Sequence, residues 1–74
     1  MEYKNILKFI GSHLRAKRQN MLLSQQEVAD RTNIPRVYIS KIENGQHVEV
    51  KFKVIIQLCN FYDIKLSEIV SNKF

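Results

Sequence analysis

Cysteine, proline, glycine and histidine are all scarce in this chain of 74 residues: one Cys, one Pro, two Gly and two His, with no Trp at all. Each scarcity excludes something. A single cysteine, Cys59, rules out an intrachain disulfide. His13 and His47 sit in unrelated contexts, so no metal-ligand spacing arises, and neither a metal nor any other cofactor is expected. Cys59 lies in an apolar run and reads as a small buried hydrophobe. With so little glycine and proline there is no linker or low-complexity stretch, and residues 1–74 read as one domain near the lower size limit for folding without staples. No apolar run approaches a membrane span. Glu2, Lys4 and Lys8 interrupt the first ten residues, which therefore do not resemble a signal peptide, and a reduced, cytoplasmic protein is expected. Acids are few and scattered over separate turns, and the adjacent Ser12 and His13 of one helix point to different sides. No nucleophile with a base and no paired carboxylates result, so the chain is not expected to be an enzyme, and no small-molecule ligand is evident.

What the chain does have is positive charge. Twelve Lys and Arg against seven Asp and Glu give a net charge of +5, which suits a polyanionic partner. The surplus is uneven. Residues 1–48 hold Lys4, Lys8, Arg15, Lys17, Arg18, Arg31, Arg36 and Lys41 against Glu2, Glu27, Asp30 and Glu43, whereas residues 49–74 are almost balanced. The anion-facing part is expected in the N-terminal two-thirds.

The patterning is helical throughout and predicts an all-α, compact five-helix bundle, with helices over about 4–19, 25–31, 36–43, 51–62 and 66–71. In the first, Ile6, Leu7, Ile10 and Leu14 recur at helical spacing, and Gly11 is tolerable only if another backbone packs close. The second has a strong start: Ser24 as N-cap, Glu27 three residues on to complete a capping box, and Leu23 with Val28 as a hydrophobic staple. Asn33 tolerates the left-handed turn that must follow, Ile34 plugs it, and Pro35 suits the start of the third helix. There Ile39 and Ile42 face inward, Arg36, Val37, Ser40 and Lys41 point elsewhere, and Asn44-Gly45 ends the helix with Gly45 left-handed.

The fourth helix carries more apolar residues than one face holds. Phe52, Ile55, Cys59 and Tyr62 form an inward row with Leu58 beside it, leaving Ile56, Phe61 and Val54 over. A surplus of this kind marks a partner surface, and Ile56 and Phe61, with Phe74 from the C-terminus, are expected to form a homodimer interface. The competing reading folds the fifth helix and Phe74 over the surplus.

Two short helices joined by a tight turn, with polar and cationic residues at the start of the second, are what a helix-turn-helix needs to place one helix in a DNA major groove. The runs Ile10-Gly11-Ser12-His13-Leu14-Arg15-Ala16-Lys17-Arg18, Leu23-Ser24-Gln25-Gln26-Glu27-Val28-Ala29, Tyr38-Ile39-Ser40-Lys41-Ile42-Glu43-Asn44-Gly45 and Tyr62-Asp63-Ile64-Lys65-Leu66-Ser67-Glu68-Ile69 stand in order. Together they resemble the Cro/repressor-type, or xenobiotic-response-element-like, helix-turn-helix family, with its lambda-repressor-like DNA-binding domain. The likeness covers about residues 6–70. Three features depart from the family pattern: Asn33 stands at the usual turn glycine, Pro35 at the usual Ser or Thr cap, and residues 46–50 form a longer loop without the usual Pro-Ser start of the next helix.

The resemblance implies roles. Arg36, Val37, Ser40 and Lys41 would face base edges: Arg36 with two hydrogen bonds to a guanine, Val37 against a thymine methyl, Lys41 as a point charge. Gln25, Gln26, Tyr38, Asn44 and Gln46 would lie against the sugar-phosphate backbone, which fixes position without reading sequence. Arg18 and Glu43 would form an ion pair tying the first helix to the third. The implied partner is double-stranded DNA with a palindromic operator, bound by a homodimer. Arg36-Val37-Tyr38-Ile39-Ser40 also fits the Arg-x-Tyr-Ile-Ser run of restriction–modification controller proteins, and small phage or plasmid repressors are of similar size. Two other readings stay open: an antitoxin-type module that binds a protein partner and autoregulates its promoter, and sequence-independent nucleoid binding, for which a heavier and less localised basic charge would be expected.

Overall fold

The computed structural model describes residues 3–46 and 51–71. Five α-helices follow in order: α1 (Tyr3–Asn20), α2 (Gln25–Thr32), α3 (Arg36–Glu43), α4 (Phe52–Phe61) and α5 (Leu66–Ser71). No strand occurs among the described residues. The loop residues 47–50, including His47, and the proposed interface residue Phe74 lie outside the described residues.

One apolar core organises the bundle. Leu14 from α1, Val28 from α2, Ile39 from α3, Leu58 and Cys59 from α4 and Ile69 from α5 are its fully buried members. Every helix thus contributes an anchor, which a chain of this length needs because its core is small. Burial pushes the Cys59 thiol above its ordinary pKa, consistent with a packing role. Ile6, Phe9, Leu23, Val54, Phe61, Ile64 and Leu66 pack partly buried around this centre.

Helix α1 packs backbone to backbone against the end of α3. A Cβ on Gly11 would collide with the carbonyl oxygen of Ile42 and come within 3.0 Å of that of Glu43. The glycine is therefore there to let two backbones touch, and its cost to helix stability is offset by that packing. Just beyond α3, Gly45 has φ +64° and sits on Lys8 of α1, whose Cα would lie 2.7 Å from an added Cβ.

Three helices end in the same way. After α1, Leu23 N–H donates to Arg18 C=O and Leu22 N–H to Gln19 C=O. After α3, Gln46 pairs with Lys41 and Gly45 with Ile42, and after α4, Ile64 pairs with Cys59 and Asp63 with Asn60. These are Schellman motifs, which require a left-handed residue at the turn. Gly45 supplies one easily, but Leu22 (φ 59°) and Asp63 (φ 58°) fill the other two. Leu22 is also 89% exposed, so its side chain gives nothing back in packing.

Two expectations for α4 are corrected. Phe52, expected in the inward row, is 64% exposed: it is the first helical residue, and the row begins one turn later at Ile55. Phe61 and Val54, expected to be surplus, are half-buried on the core, and the Phe61 ring meets that of Tyr62 edge-on at 5.1 Å between centroids. The apolar pair left outward is thus Phe52 with the half-buried Ile56, four residues apart on one face.

Candidate nucleic-acid interface

Helix α2 enters its first turn with its donors already arranged. Ser24 Oγ accepts from Glu27 N–H at 3.0 Å, and Glu27 Oε1 accepts from Ser24 N–H at 3.0 Å. These bonds from Ser24 hold the Glu27 carboxyl below its ordinary pKa. The helix ends at Asn33, left-handed with φ 60°. Thr32 Oγ donates to Val28 C=O and accepts Ile34 N–H, so the turn is tied from within.

Helix α3 has no such start. Pro35 is its N-cap and offers no side-chain bond. At about 100° per residue, Arg36, Val37, Ser40 and Lys41 spread over about 140° of arc, with Ile39 and Ile42 on the other side and Glu43 two turns below Arg36 at the edge between them. Burial follows that division. Arg36 is exposed, Val37 is 52% exposed, and Ser40 and Lys41 are half-buried, while Ile39, Ile42 and Glu43 are buried. The four residues expected to read bases are therefore brought together on one accessible face. Asn44 Nδ2 reaches Ser40 Oγ at 3.4 Å, a long bond that leaves both at the rim of this face.

The inward end of α3 holds the expected ion pair. Arg18 Nε donates to Glu43 Oε2 at 2.7 Å and Nη2 to Oε1 at 3.0 Å, the two-point geometry that favours arginine. Its Nη1 donates to Leu23 C=O at 2.8 Å, so one guanidinium joins α1, the approach to α2 and the end of α3. Both side chains are largely removed from water, at 11% and 2% exposure. Hydrogen bonding to Glu43 pushes the Arg18 pKa above its ordinary value, outweighing the opposite effect of burial. Nearby, burial first and Glu43 second push the Tyr62 phenol up to about 12, and its hydroxyl is buried without a hydrogen-bond partner among the described residues.

The expected phosphate-facing residues are placed more variously. Gln25 is half-buried, and its Nε2 donates to Glu43 Oε1 at 3.1 Å. Gln26 Nε2 donates along its own helix to Asp30 at 2.9 Å. Gln46 is exposed and closes the α3 Schellman turn with its backbone. Tyr38, on the far edge of α3, borders a groove of about 270 Å3 against α4, lined also by Asn33, Lys51, Lys53 and Gln57. Gln57 fixes this side by donating to Thr32 C=O at 2.9 Å. Lys51 and Lys53 were not singled out from the sequence. They lie in its balanced third, and only the fold brings them beside Tyr38. Among the described residues no group of three His, Cys, Asp or Glu is placed to hold a metal ion, and no helix is long and apolar enough to cross a membrane.

A family model described as helix-turn-helix matches residues 14–69, from the last turns of α1 into α5. No curated protein and no solved structure matches the chain.

Proposed function

The chain belongs to the Cro/repressor-type helix-turn-helix family, and from that premise we propose that it is a sequence-specific transcriptional regulator that binds an inverted-repeat operator as a homodimer. DNA binding follows from the family. The observation that carries the finer reading is the two-sided build of α3: Arg36, Val37, Ser40 and Lys41 on an open face, with Ile39 and Ile42 buried behind them and Glu43 locked to Arg18 at the helix end. A helix fixed on one side and bare on the other can enter a major groove without rearranging. In this reading Arg36 pairs with a guanine, Val37 packs on a thymine methyl, and Ser40 and Lys41 complete the half-site. Gln25, Gln26, Asn44 and Gln46 hold one flank of sugar-phosphate, and Tyr38, with Lys51 and Lys53, holds the other.

Two copies are needed because one helix reads only a few base pairs, and half-sites about one helical turn, ~34 Å, apart give a useful operator. The outward apolar pair Phe52 and Ile56 supports an interface on α4, which keeps Ile56 of the expected set and puts Phe52 in the place of Phe61. The Arg36–Ser40 run favours a restriction–modification controller or a phage or plasmid repressor.

The test begins with DNA fragments selected by the purified protein. Arg36→Ala should weaken binding to a selected duplex by ~1–3 kcal/mol per half-site and relax preference at one guanine, with little change on random duplex, both followed by fluorescence anisotropy. An equal loss on both duplexes removes Arg36 from base reading. A sedimentation mass equal to one chain at micromolar concentration, with and without operator, removes the dimer.

A further inference from the structure

The Arg18–Glu43 pair has a third member that ion pairing alone does not require. Gln25 Nε2 donates to Glu43 Oε1, the same oxygen that accepts Arg18 Nη2. A carboxylate only accepts hydrogen bonds, so it dictates which end of the glutamine amide faces it. The NH2 end must turn toward Glu43, and the amide carbonyl must turn away. The NH2 group carries two hydrogens. One is held by Glu43, and the second remains on a side chain that is only half-buried, in the first turn of α2. Arg18 holds Glu43 through both carboxylate oxygens and holds Leu23 C=O, so the carboxylate is the fixed partner and the glutamine the oriented one. Its negative charge is matched by Arg18 and does not repel an approaching anion.

We propose that Glu43 is a positioning residue for DNA: it holds the NH2 end of the Gln25 amide against its carboxylate, so that one hydrogen of that group stays on Glu43 while the other meets a phosphate oxygen. This rests on the reading of Gln25 as a phosphate contact. Without the carboxylate the amide is free to flip, and the flipped form presents a carbonyl oxygen to the phosphate. Glu43→Gln keeps the shape but offers one acceptor where there were two, so Arg18 and Gln25 compete for it.

The experiment is a double-mutant cycle on random-sequence duplex at one salt concentration, with folding checked by circular dichroism. Gln25→Ala should weaken binding about tenfold per bound chain, as for one hydrogen bond to a charged group. Glu43→Gln should weaken it by a similar factor, and the double variant by no more than either single one. No loss on Gln25→Ala overturns the phosphate contact itself. A loss there, with folded Glu43→Gln binding as tightly as the parent, or with factors that multiply in the double variant, overturns the positioning role alone. Where Glu43→Gln does not fold, the parent protein labelled with 15N decides. Of the two Gln25 side-chain amide protons, one should shift on adding duplex and the other should stay in place. Two protons shifting together overturn the positioning role, and two that do not move overturn the contact.

Discussion

Helices α2 and α3 have eight residues each and meet across the three-residue turn Asn33-Ile34-Pro35, yet they begin in opposite ways. The start of α2 is closed by its own side chains through Ser24 and Glu27. The start of α3 has only Pro35, which sets the backbone and bonds nothing. What α3 lacks at its start it receives at its other end, where Glu43 is bound by Arg18, Ile42 presses on Gly11 and Gly45 rests on Lys8. A cap side chain at the start of α3 would stand beside Arg36 and Val37. Holding the helix from behind leaves that end open to a partner, so local and tertiary means of fixing a helix are divided between the two according to which end must stay bare.

The largest test of this division is Glu43→Ala. It leaves the Arg18 guanidinium buried without its carboxylate, which costs about 3–5 kcal/mol when one member of a buried pair is removed. Urea unfolding should show a loss that a domain of this size barely survives, with amide exchange in α3 accelerated more than in α2. Equal acceleration in both helices would break the contrast. Gly11→Ala should follow, at about 1–3 kcal/mol, because the obstructing atom is a backbone carbonyl that cannot swing aside. A thermal midpoint unchanged by this substitution would mean that α1 and α3 are not in contact there. The smallest effects come from the caps. Ser24→Ala should cost about 1 kcal/mol, whereas Pro35→Asp should stay within about 0.5 kcal/mol of the parent, since the cap gained is offset by the rigidity lost. If Pro35→Asp gains as much stability as Ser24→Ala loses, α3 is merely a poorly capped helix and its open start has no purpose in the fold.

Much of this architecture was legible in the residues because it rests on short-range rules. Ser24 with Glu27, Asn33 and Gly45 each announce a helix end through bonding or backbone freedom within a few positions, and all behave as expected. The Arg18–Glu43 pair came from family likeness, since nothing local links two residues on different helices, and the structure places it as that likeness implied. Gly11 announced a close neighbour but not which one. Other features depended on distance in three dimensions and gave no local signal. The exposure of Phe52 turns on the exact start of α4, because a helix of 10 residues changes faces within a single position. The Gln25 bond to Glu43 and the groove shared by Tyr38, Lys51 and Lys53 join segments far apart in the chain. Leu22 and Asp63 at positive φ were hidden because neither residue type signals such a turn as glycine does.

The left-handed turn at Leu22 has a consequence for mirror-image chemistry. Its φ of 59° is the natural territory of a D-amino acid, and an L-residue there bears a cost of about 1–2 kcal/mol. A synthetic chain carrying D-leucine at this one position keeps its composition and charge yet removes that cost. Inverting the chirality at this link between α1 and α2 should therefore make the protein more stable, whereas inversion inside either helix would disrupt it.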